Sequence, residues 1–275
     1  MGWKRGIAAV ALAAVLVGAA PGAGAAEDWV HVLLIGADGA EEAVSRADTV
    51  LLCSFRPGAD VVVLTSFLRD LYVPIPGHGS NRLNAAYALG GETLLRQTLE
   101  RQFGLTIRGC VRADFTGFPR VIDALGGVKL QLRQDEANLI NDRCPGSALT
   151  GGEAVLNGSQ ALCYARIRTL DADGDFSRTR RQQRLVRSLL GQARGWQLMS
   201  LTRQVLPLLR TDIDPVQLLG WVLRMAPQAD RLRITSVQIP APGTYRSRTI
   251  RGMAVLEADR ERNAAFLRKT LAETG

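Results

Sequence analysis

The sequence predicts an α/β fold, a single α/β/α sandwich with a mixed central sheet flanked by helices. Apolar runs typical of strands alternate with segments of helical periodicity, which is the pattern of a layered α/β protein. At 275 residues with 47% hydrophobic content, the chain can bury one large core or two small ones. Because the sequence contains no repeat, low-complexity segment or interdomain linker, we expect one domain.

Most of the predicted strands lie in the N-terminal half. Val30–Ile35 is a continuous apolar run that ends at Gly36, which is typical of a buried strand. The runs Thr49–Phe55 and Val61–Ser66 flank a short Pro-Gly connection and predict an antiparallel hairpin. The elements predicted next are a helix at Asn84–Phe103, a strand at Ile107–Ala113, a helix at Phe118–Leu125 and a strand at Val128–Leu132.

The C-terminal half is predicted to be mainly helical. Residues 133–157 are polar and broken by Pro145 and several glycines, so we expect a long loop with at most one helical turn. The elements predicted after this loop are helices at Ser177–Ala193, Leu198–Leu209 and Pro215–Met225, strands at Leu232–Ile239 and Met253–Leu256, and a last helix that begins near Asp259.

The N-terminal segment indicates export. Lys4 and Arg5 precede an uncharged run at 6–26, and Ala23-Gly-Ala25 matches a cleavage site. The run of 21 residues is also long enough to span a bilayer, which takes ~20 apolar residues. We therefore predict a signal peptide or an N-terminal membrane anchor at 1–28 and an extracytoplasmic catalytic domain at 29–275, with the basic end left inside.

Net charge indicates the class of partner. A formal charge of +8 and a pI near 9.9 favour phosphates, acidic polymers, anionic lipid or nucleic acid. An exported chain with 5% aromatic residues is a poor nucleic-acid binder, because single strands stack on aromatic side chains. We expect a membrane surface as a partner and no nucleic acid.

An arginine cluster follows residue 163. If the segment Tyr164-Ala-Arg-Ile-Arg168 is extended, Arg166 and Arg168 share one face, and Arg178 and Gln182 lie at i and i+4 on the next helix. Three guanidinium groups and an amide form a receptor for a multiply charged oxyanion, above all phosphate. The alternative is a solvated, arginine-rich helix face, since only three of 34 basic residues are lysine.

Charged residues also flank the predicted hairpin. Asp48 precedes its first strand and Arg69 and Asp70 follow its second, so all three lie at one end of the sheet. If the first predicted strand runs parallel to the second hairpin strand, Asp38 and Arg46 arrive there too. Carboxylates near arginines suggest a Mg²⁺ site shared with substrate phosphates. The alternative is that the aspartates cap turns and form surface ion pairs.

The four cysteines have no C-x-x-C spacing, so a zinc site is not expected. Cys53 and Cys110 lie in apolar runs and are predicted to be buried thiols. Cys144 and Cys163 are either free or joined by a disulfide, which an exported protein can form.

Eight short segments complete the pattern. They are Leu33-Leu-Ile-Gly-Ala-Asp38, Arg46-Ala-Asp-Thr49, Leu68-Arg-Asp-Leu-Tyr-Val-Pro-Ile-Pro76, Arg82-Leu-Asn-Ala-Ala-Tyr87, Asp114-Phe-Thr-Gly-Phe118, Asp123-Ala-Leu-Gly-Gly-Val128, Tyr164-Ala-Arg-Ile-Arg168 and Gly174-Asp-Phe-Ser-Arg-Thr-Arg-Arg-Gln-Gln183. In this order they resemble the LytR-CpsA-Psr family, cell-wall phosphotransferases of mainly Gram-positive bacteria.

The resemblance implies Mg²⁺-dependent transfer of a phospho-glycopolymer, of teichoic acid or capsule type, from a polyprenyl-pyrophosphate-linked donor. The acceptor is a peptidoglycan hydroxyl, and polyprenyl phosphate is released. It implies that Asp38 and Asp48 hold the metal and that Asp48 and Arg69 are catalytic. The residues assigned to the pyrophosphate are Arg46, Asp70, Arg82, Arg166, Arg168, Arg178 and Gln182.

Three departures from the family pattern and two other possible functions have to be considered. Many members have lysine at Arg82, proline at Leu68 and histidine at Leu170, but all three changes leave the charged site complete. One alternative is a polyprenyl-pyrophosphate hydrolase that uses the same site. The other is a non-catalytic binder of anionic cell-wall polymer, for which paired aspartates would be unfavourable. No histidine has a motif position, so the general base is unassigned.

Overall fold

A computed structural model describes residues 29–37, 47–114, 116–192, 208 and 210–275. The strands are β1 Val30–Ala37, β2 Ala47–Phe55, β3 Val61–Phe67, β4 Tyr72–Ile75, β5 Gly79–Arg82, β6 Ile107–Asp114, β7 Val128–Leu132, β8 Gly152–Leu156, β9 Arg210–Thr211, β10 Arg233–Ile239, β11 Tyr245–Ile250 and β12 Met253–Ala258. The helices are α1 Leu83–Phe103, α2 Gly117–Ala124, α3 Gln134–Arg143, α4 Gly158–Ala165, α5 Asp175–Gly191, α6 Pro215–Met225 and α7 Arg260–Thr274, with a 3₁₀ helix at Ala226–Arg231.

The central sheet has six described strands in the order β10-β3-β2-β1-β6-β9. Strand β1 is parallel to β6 and β3 is parallel to β10, whereas the β1–β2, β2–β3 and β6–β9 pairs are antiparallel. The predicted mixed sheet and the predicted β2–β3 hairpin are confirmed. Because β1 and β3 both run against β2, their C-terminal ends meet the start of β2 at one edge.

Two different sets of helices cover the faces of this sheet. Leu33 and its same-face neighbours share a core with α1 and α7, while Val32 and its neighbours share a core with α5 and α6. This alternation follows from the period of two in a strand. On the second face, Phe55 meets Trp221 of α6 edge to face, with ring centroids 5.7 Å apart. The α/β/α sandwich predicted from the sequence is therefore confirmed.

A third core is built by α2, α3, α4, the β7–β8 hairpin and one side of α5. It corrects the prediction of a long loop at 133–157, because this range contains both α3 and β8. Helix α3 buries only Glu136, Ala137 and Ile140, and the Glu136 carboxylate pairs with Arg181. An apolar pattern this sparse does not reveal a helix.

Other differences are local. The extended conformation expected at 164–168 is wrong, because Tyr164 lies in the last turn of α4 and Arg166 caps that helix with helical dihedral angles. Helix α1 is kinked at Gly90 and Gly91. The strands β4, β5, β9 and β11 and the helix α4 were not expected. Apart from Leu208, the helix predicted at 198–209 lies outside the described residues.

The described helices include none with the length and apolarity needed to cross a bilayer. Residues 1–28 lie outside the described part of the chain, so the signal peptide or anchor stays a prediction.

The buried histidine of β1 gives a pH-dependent contribution to stability. His31 Nδ1 lies 2.7 Å from Ser54 Oγ, and burial, followed by the charge of Arg108, lowers the pKa of His31 to about 4. In the unfolded chain the His31 imidazole takes up a proton near pH 6.5, whereas in the folded chain it stays neutral until about pH 4. The contribution of neutral His31 to stability is therefore fully present above pH ~6.5 and is lost as the pH falls towards ~4.

We expect this effect to appear in the free energy of unfolding. Between about pH 7.5 and about pH 4.5, wild type should lose ~2–3 kcal/mol more than His31→Gln, which cannot titrate there. The measurement is chemical denaturation of both proteins at both pH values. An identical pH dependence for the two would contradict the assignment.

Candidate active site

The site lies at the edge of the sheet where β1 and β3 end. Asp48 is the second residue of β2, and Arg69 lies two residues beyond the end of β3. The antiparallel pairing of these strands brings the two residues together, and Arg69 Nη1 donates a hydrogen bond to Asp48 Oδ1 at 2.7 Å.

Two further carboxylates hold the Arg69 guanidinium. Its Nε donates to Oδ2 of Asp175, the first residue of α5, at 2.7 Å. The same Nε lies 3.6 Å from Asp70 Oδ2, and Asp70 Oδ1 lies 3.5 Å from Nε of Arg82. Burial works to lower the pKa of Arg69, but Asp48, Asp175 and Asp70 outweigh it and raise the pKa overall. Arg69 is therefore a fixed positive charge.

Two more arginines converge on Asp48. Arg168 Nη2 donates to Asp48 Oδ2 at 3.2 Å. Arg178 Nη2 donates to the Asp48 main-chain carbonyl at 3.3 Å and to Asp175 Oδ2 at 3.2 Å. Arg178 is only 3% exposed, and its Nε and Nη1 have no hydrogen-bond partner within the described part of the chain. Nη1 also lies 3.9 Å from Asp48 Oδ2, so the described residues leave two buried donors of a cavity-lining side chain without a hydrogen bond.

The arginines control the ionisation of Asp48. Burial raises the pKa of this carboxyl, but the hydrogen bond from Arg69 and the charges of Arg178, Arg69 and Arg168 outweigh burial and lower the pKa overall. Asp48 is therefore ionised at neutral pH. It is suited to holding a cation and is a weak proton acceptor.

A cavity of about 940 Å³ opens onto this group. Arg82, Arg166 and Gln182 also line it, and Gln182 Nε2 donates to the Ala165 carbonyl at 3.4 Å. The structure thus brings together the predicted site residues that it describes, although Asp70 does not line this cavity and joins the group through its ion pairs with Arg69 and Arg82. Asp38 and Arg46 lie outside the described residues. The functional roles of all these residues stay predictions.

Most of the other residues that line the cavity are apolar, although Arg143 of α3 and Asn84 of α1 also line it. Leu34, Leu51 and Val111 line it from the sheet, and side chains of the third core face them. The residues on that side are Phe118, Val121, Ile122, Leu185 and Leu189. One end of the cavity is therefore strongly cationic and the other is hydrocarbon-like, which suits an amphipathic ligand with an anionic head.

Comparison with known proteins identifies the chain. The model of the LytR_cpsA_psr family matches residues 15–271. The chain belongs to this family. The polyisoprenyl-teichoic acid–peptidoglycan teichoic acid transferase TagU of Oceanobacillus iheyensis is 32% identical over 227 residues, which cover 79% of this chain and 68% of the relative.

Two other relatives agree with this assignment. The regulatory protein MsrR of Staphylococcus aureus is 38% identical over 162 residues, covering 58% of this chain and 48% of its own length. A solved structure of TagT bound to LIIa-WTA superposes with a TM-score of 0.73 at 26% identity, covering 90% of this chain and 91% of TagT. The predicted family and enzyme class are confirmed, and the chain is a transferase of the LytR-CpsA-Psr type.

Asp175 is the residue of this LytR-CpsA-Psr site that sequence reasoning missed. It contacts Arg69, Arg168 and Arg178, at Nε–Oδ2 2.7 Å, Nε–Oδ1 3.8 Å and Nη2–Oδ2 3.2 Å respectively. A signal was available, because Asp175 lies three residues before Arg178 and so on the same helix face. The hydrogen bond between Arg69 and Asp175 could not be predicted from the sequence, because 106 residues separate the two in the chain.

The donor set at the site is compatible with Mg²⁺. The described residues contain no group of three or more His, Cys, Asp or Glu side chains that could hold a metal ion. Mg²⁺ needs fewer protein ligands, since it is usually bound by one or two carboxylates together with substrate phosphates and water. The ionised Asp48 carboxylate at the mouth of an arginine-lined cavity supplies a hard oxygen ligand of that kind.

A disulfide lies beside the cavity of the LytR-CpsA-Psr site. Cys144, which caps α3, is bonded to Cys163 of α4, and Cys163 lines the cavity. Cys53 and Cys110 are free and buried, as predicted, and burial raises the pKa of each thiol to about 12. The bond ties α3 to the helix that ends at Arg166.

We expect thiol labelling of denatured, unreduced protein to modify Cys53 and Cys110 only. Loss of the bond in Cys163→Ser should lower the free energy of unfolding by ~3 kcal/mol, because a loop of this length is no longer closed in the unfolded chain. Cys53→Ser should change the number of labelled thiols without opening that loop. Four reactive thiols in the wild type would show that the cross-link does not form.

Proposed function

We propose that this protein transfers a phospho-glycopolymer from a polyprenyl-pyrophosphate-linked donor to a hydroxyl of peptidoglycan and releases polyprenyl phosphate. The observation that carries this proposal is the cavity itself. Among the described residues, Asp48 and six arginines line it, and most of its other lining side chains are apolar. A pyrophosphate joined to a long hydrocarbon has the same division of charge and apolar surface.

The relatives support the same substrate class. The Oceanobacillus iheyensis relative is named for the transfer of teichoic acid from a polyisoprenyl carrier to peptidoglycan. TagT has been solved bound to LIIa-WTA. Both names concern cell-wall polymers, so we infer that this chain acts outside the cytoplasm, held at the envelope through its N-terminal segment or its lipid substrate.

The arginines would act on the leaving group. The acceptor oxygen forms a bond to the phosphorus that carries the glycan, while the bond from that phosphorus to the bridging oxygen breaks. Polyprenyl phosphate leaves with the electron pair and one more negative charge. Arg69, Arg168 and Arg178 are held by ion pairs before substrate arrives, so they stabilise this charge without reorganising.

Asp48 would position the arginines and the metal for this step. It orients Arg69 and Arg168 through its two carboxylate oxygens, and with Asp38 it would hold Mg²⁺. When bound there, the metal supplies neutralisation of the phosphate oxygens. Neither histidine lines the cavity, and the low pKa of Asp48 makes it a weak base. The acceptor proton therefore leaves to solvent or to a residue outside this set.

Product analysis tests the proposal. Purified protein is incubated with a defined lipid-linked donor and Mg²⁺, with and without peptidoglycan fragments. We expect glycan-modified peptidoglycan and polyprenyl phosphate in the complete mixture. Release of free phospho-glycan at the same rate with or without acceptor would indicate a hydrolase. Binding without any product would indicate the non-catalytic polymer binder.

A further inference from the structure

A wall of ion pairs separates the arginine-lined cavity from a second cavity of about 380 Å³. Among the described residues, none lines both cavities. Arg69, Arg82 and Arg178 line the first, whereas their carboxylate partners Asp70 and Asp175 line the second. Each pair in the wall, such as Arg69–Asp175 at 2.7 Å, therefore has a cationic and an anionic side.

The second cavity has different chemistry from the first. Asp173 joins Asp70 and Asp175 along one side, and the exposed Ser247 and Thr249 of β11 lie on the other. Arg248, the arginine among the described residues that line it, is paired with Glu257 at 3.1 Å. Ionised carboxylates accept hydrogen bonds and repel phosphates, and hydroxyls donate and accept. A polyhydroxylated saccharide without phosphate matches this surface.

The hairpin β11–β12 forms one side of the cavity and is hydrogen-bonded to the segment that carries the ion pairs. Leu256 N donates to the Asp70 carbonyl at 2.9 Å, so the hairpin is tied to the residue that follows Arg69. Phe176 of α5 lines the cavity, and its ring stacks on Tyr245 of β11 with centroids 5.5 Å apart. The cavity therefore lies against the first turn of α5, where Asp175 and Phe176 are adjacent and both line it.

We infer that this second cavity binds the acceptor saccharide of peptidoglycan, with Asp70, Asp173 and Asp175 accepting hydrogen bonds from its hydroxyls. The inference rests on the proposed transfer reaction and assigns its acceptor site. The two sides of the wall carry opposite charge, so the donor and the acceptor saccharide bind on different sides. The pyrophosphate of the donor is attracted to the arginines and repelled by the aspartates. The side chains of Arg69 and Asp175 in the wall are each 22% exposed, so the acceptor hydroxyl would reach the phosphate over the solvent-exposed edge of the wall.

Filling the cavity from the hairpin tests the assignment. Thr249 and Ala254 are exposed cross-strand partners that line it, so Thr249→Trp and Ala254→Trp each fill it without replacing a residue of the ion pairs. We expect each to raise the KM for a peptidoglycan oligosaccharide on the order of tenfold. Affinity for polyprenyl pyrophosphate should stay at the wild-type value. Arg246→Trp is the matched control, since Arg246 is exposed on the same strand but does not line the cavity.

Direct binding separates this inference from the proposed reaction. Calorimetry with chitotetraose, a neutral oligosaccharide, should detect binding to the wild type and the control and much weaker binding to both cavity-filling variants. If the wild type binds chitotetraose but transfers nothing, the reaction is wrong and the saccharide site stands. Equal binding by all four proteins, or loss of polyprenyl pyrophosphate affinity in the cavity-filling variants, overturns the assignment.

Discussion

Asp48→Asn should lower Mg²⁺-dependent turnover by a factor on the order of 10²–10³ while leaving donor binding intact. Asn keeps an oxygen for the hydrogen bond from Arg69 but removes the charge at which three arginines converge. In chelator, Asp48→Asn should bind polyprenyl pyrophosphate at least as tightly as wild type, because a competing anion is gone. Turnover and calorimetric affinity for polyprenyl pyrophosphate, measured on the same preparations, check the predicted loss of activity and the predicted retention of binding.

The control for this variant is Asp60→Asn. Asp60 also pairs with an arginine, Arg233, with both oxygens at 3.0 Å, but it lies in the β2–β3 turn at the opposite end of the sheet from Asp48. Its loss should affect neither turnover nor binding. Full activity of Asp48→Asn, or of wild type in chelator, would remove the metal from the mechanism.

The meeting of Asp48 and Arg69 at the sheet edge was predictable because it depends on a local turn signal. The Pro-Gly connection at 56–60 implies an antiparallel hairpin, and that pairing alone places Asp48 beside Arg69. The third core was not predictable in the same way. Helix α3 is stabilised by the ion pair between Glu136 and Arg181, which are 45 residues apart in the chain, so its segment looks like a polar loop.

The arginine cluster shows the same limit in a different form. The sequence predicts that Arg166 and Arg168 share one face of an extended segment, yet Arg166 caps a helix and Arg168 lies in the irregular segment that follows. They still line one cavity, together with residues of α5 and of the sheet edge. Residue types and order therefore predicted which groups meet, whereas Asp175 and the apolar cavity depend on contacts that only the fold creates.

Arg178→Ala should weaken binding of polyprenyl pyrophosphate by about 10- to 100-fold and leave binding of polyprenyl alcohol nearly unchanged. The side chain is 3% exposed and presents two buried donors with no hydrogen-bond partner in the described structure. A hydrogen bond to a charged group contributes ~1.5–3 kcal/mol, which corresponds to that range of affinity. Burial, the first of its causes, lowers the pKa of Arg178, so charge held there is only partly screened by water.

Two companion variants make the Arg178 result specific. Arg178→Lys should recover only part of the affinity, because an ammonium group cannot make the two parallel bonds of a guanidinium fork. Arg180→Ala, on the same helix but exposed and paired with Asp173, should bind the pyrophosphate like wild type. Thermal unfolding of each variant shows whether the helix stays folded. An equal loss of affinity for pyrophosphate and alcohol in Arg178→Ala would mean that this arginine supports the fold and does not recognise the phosphates.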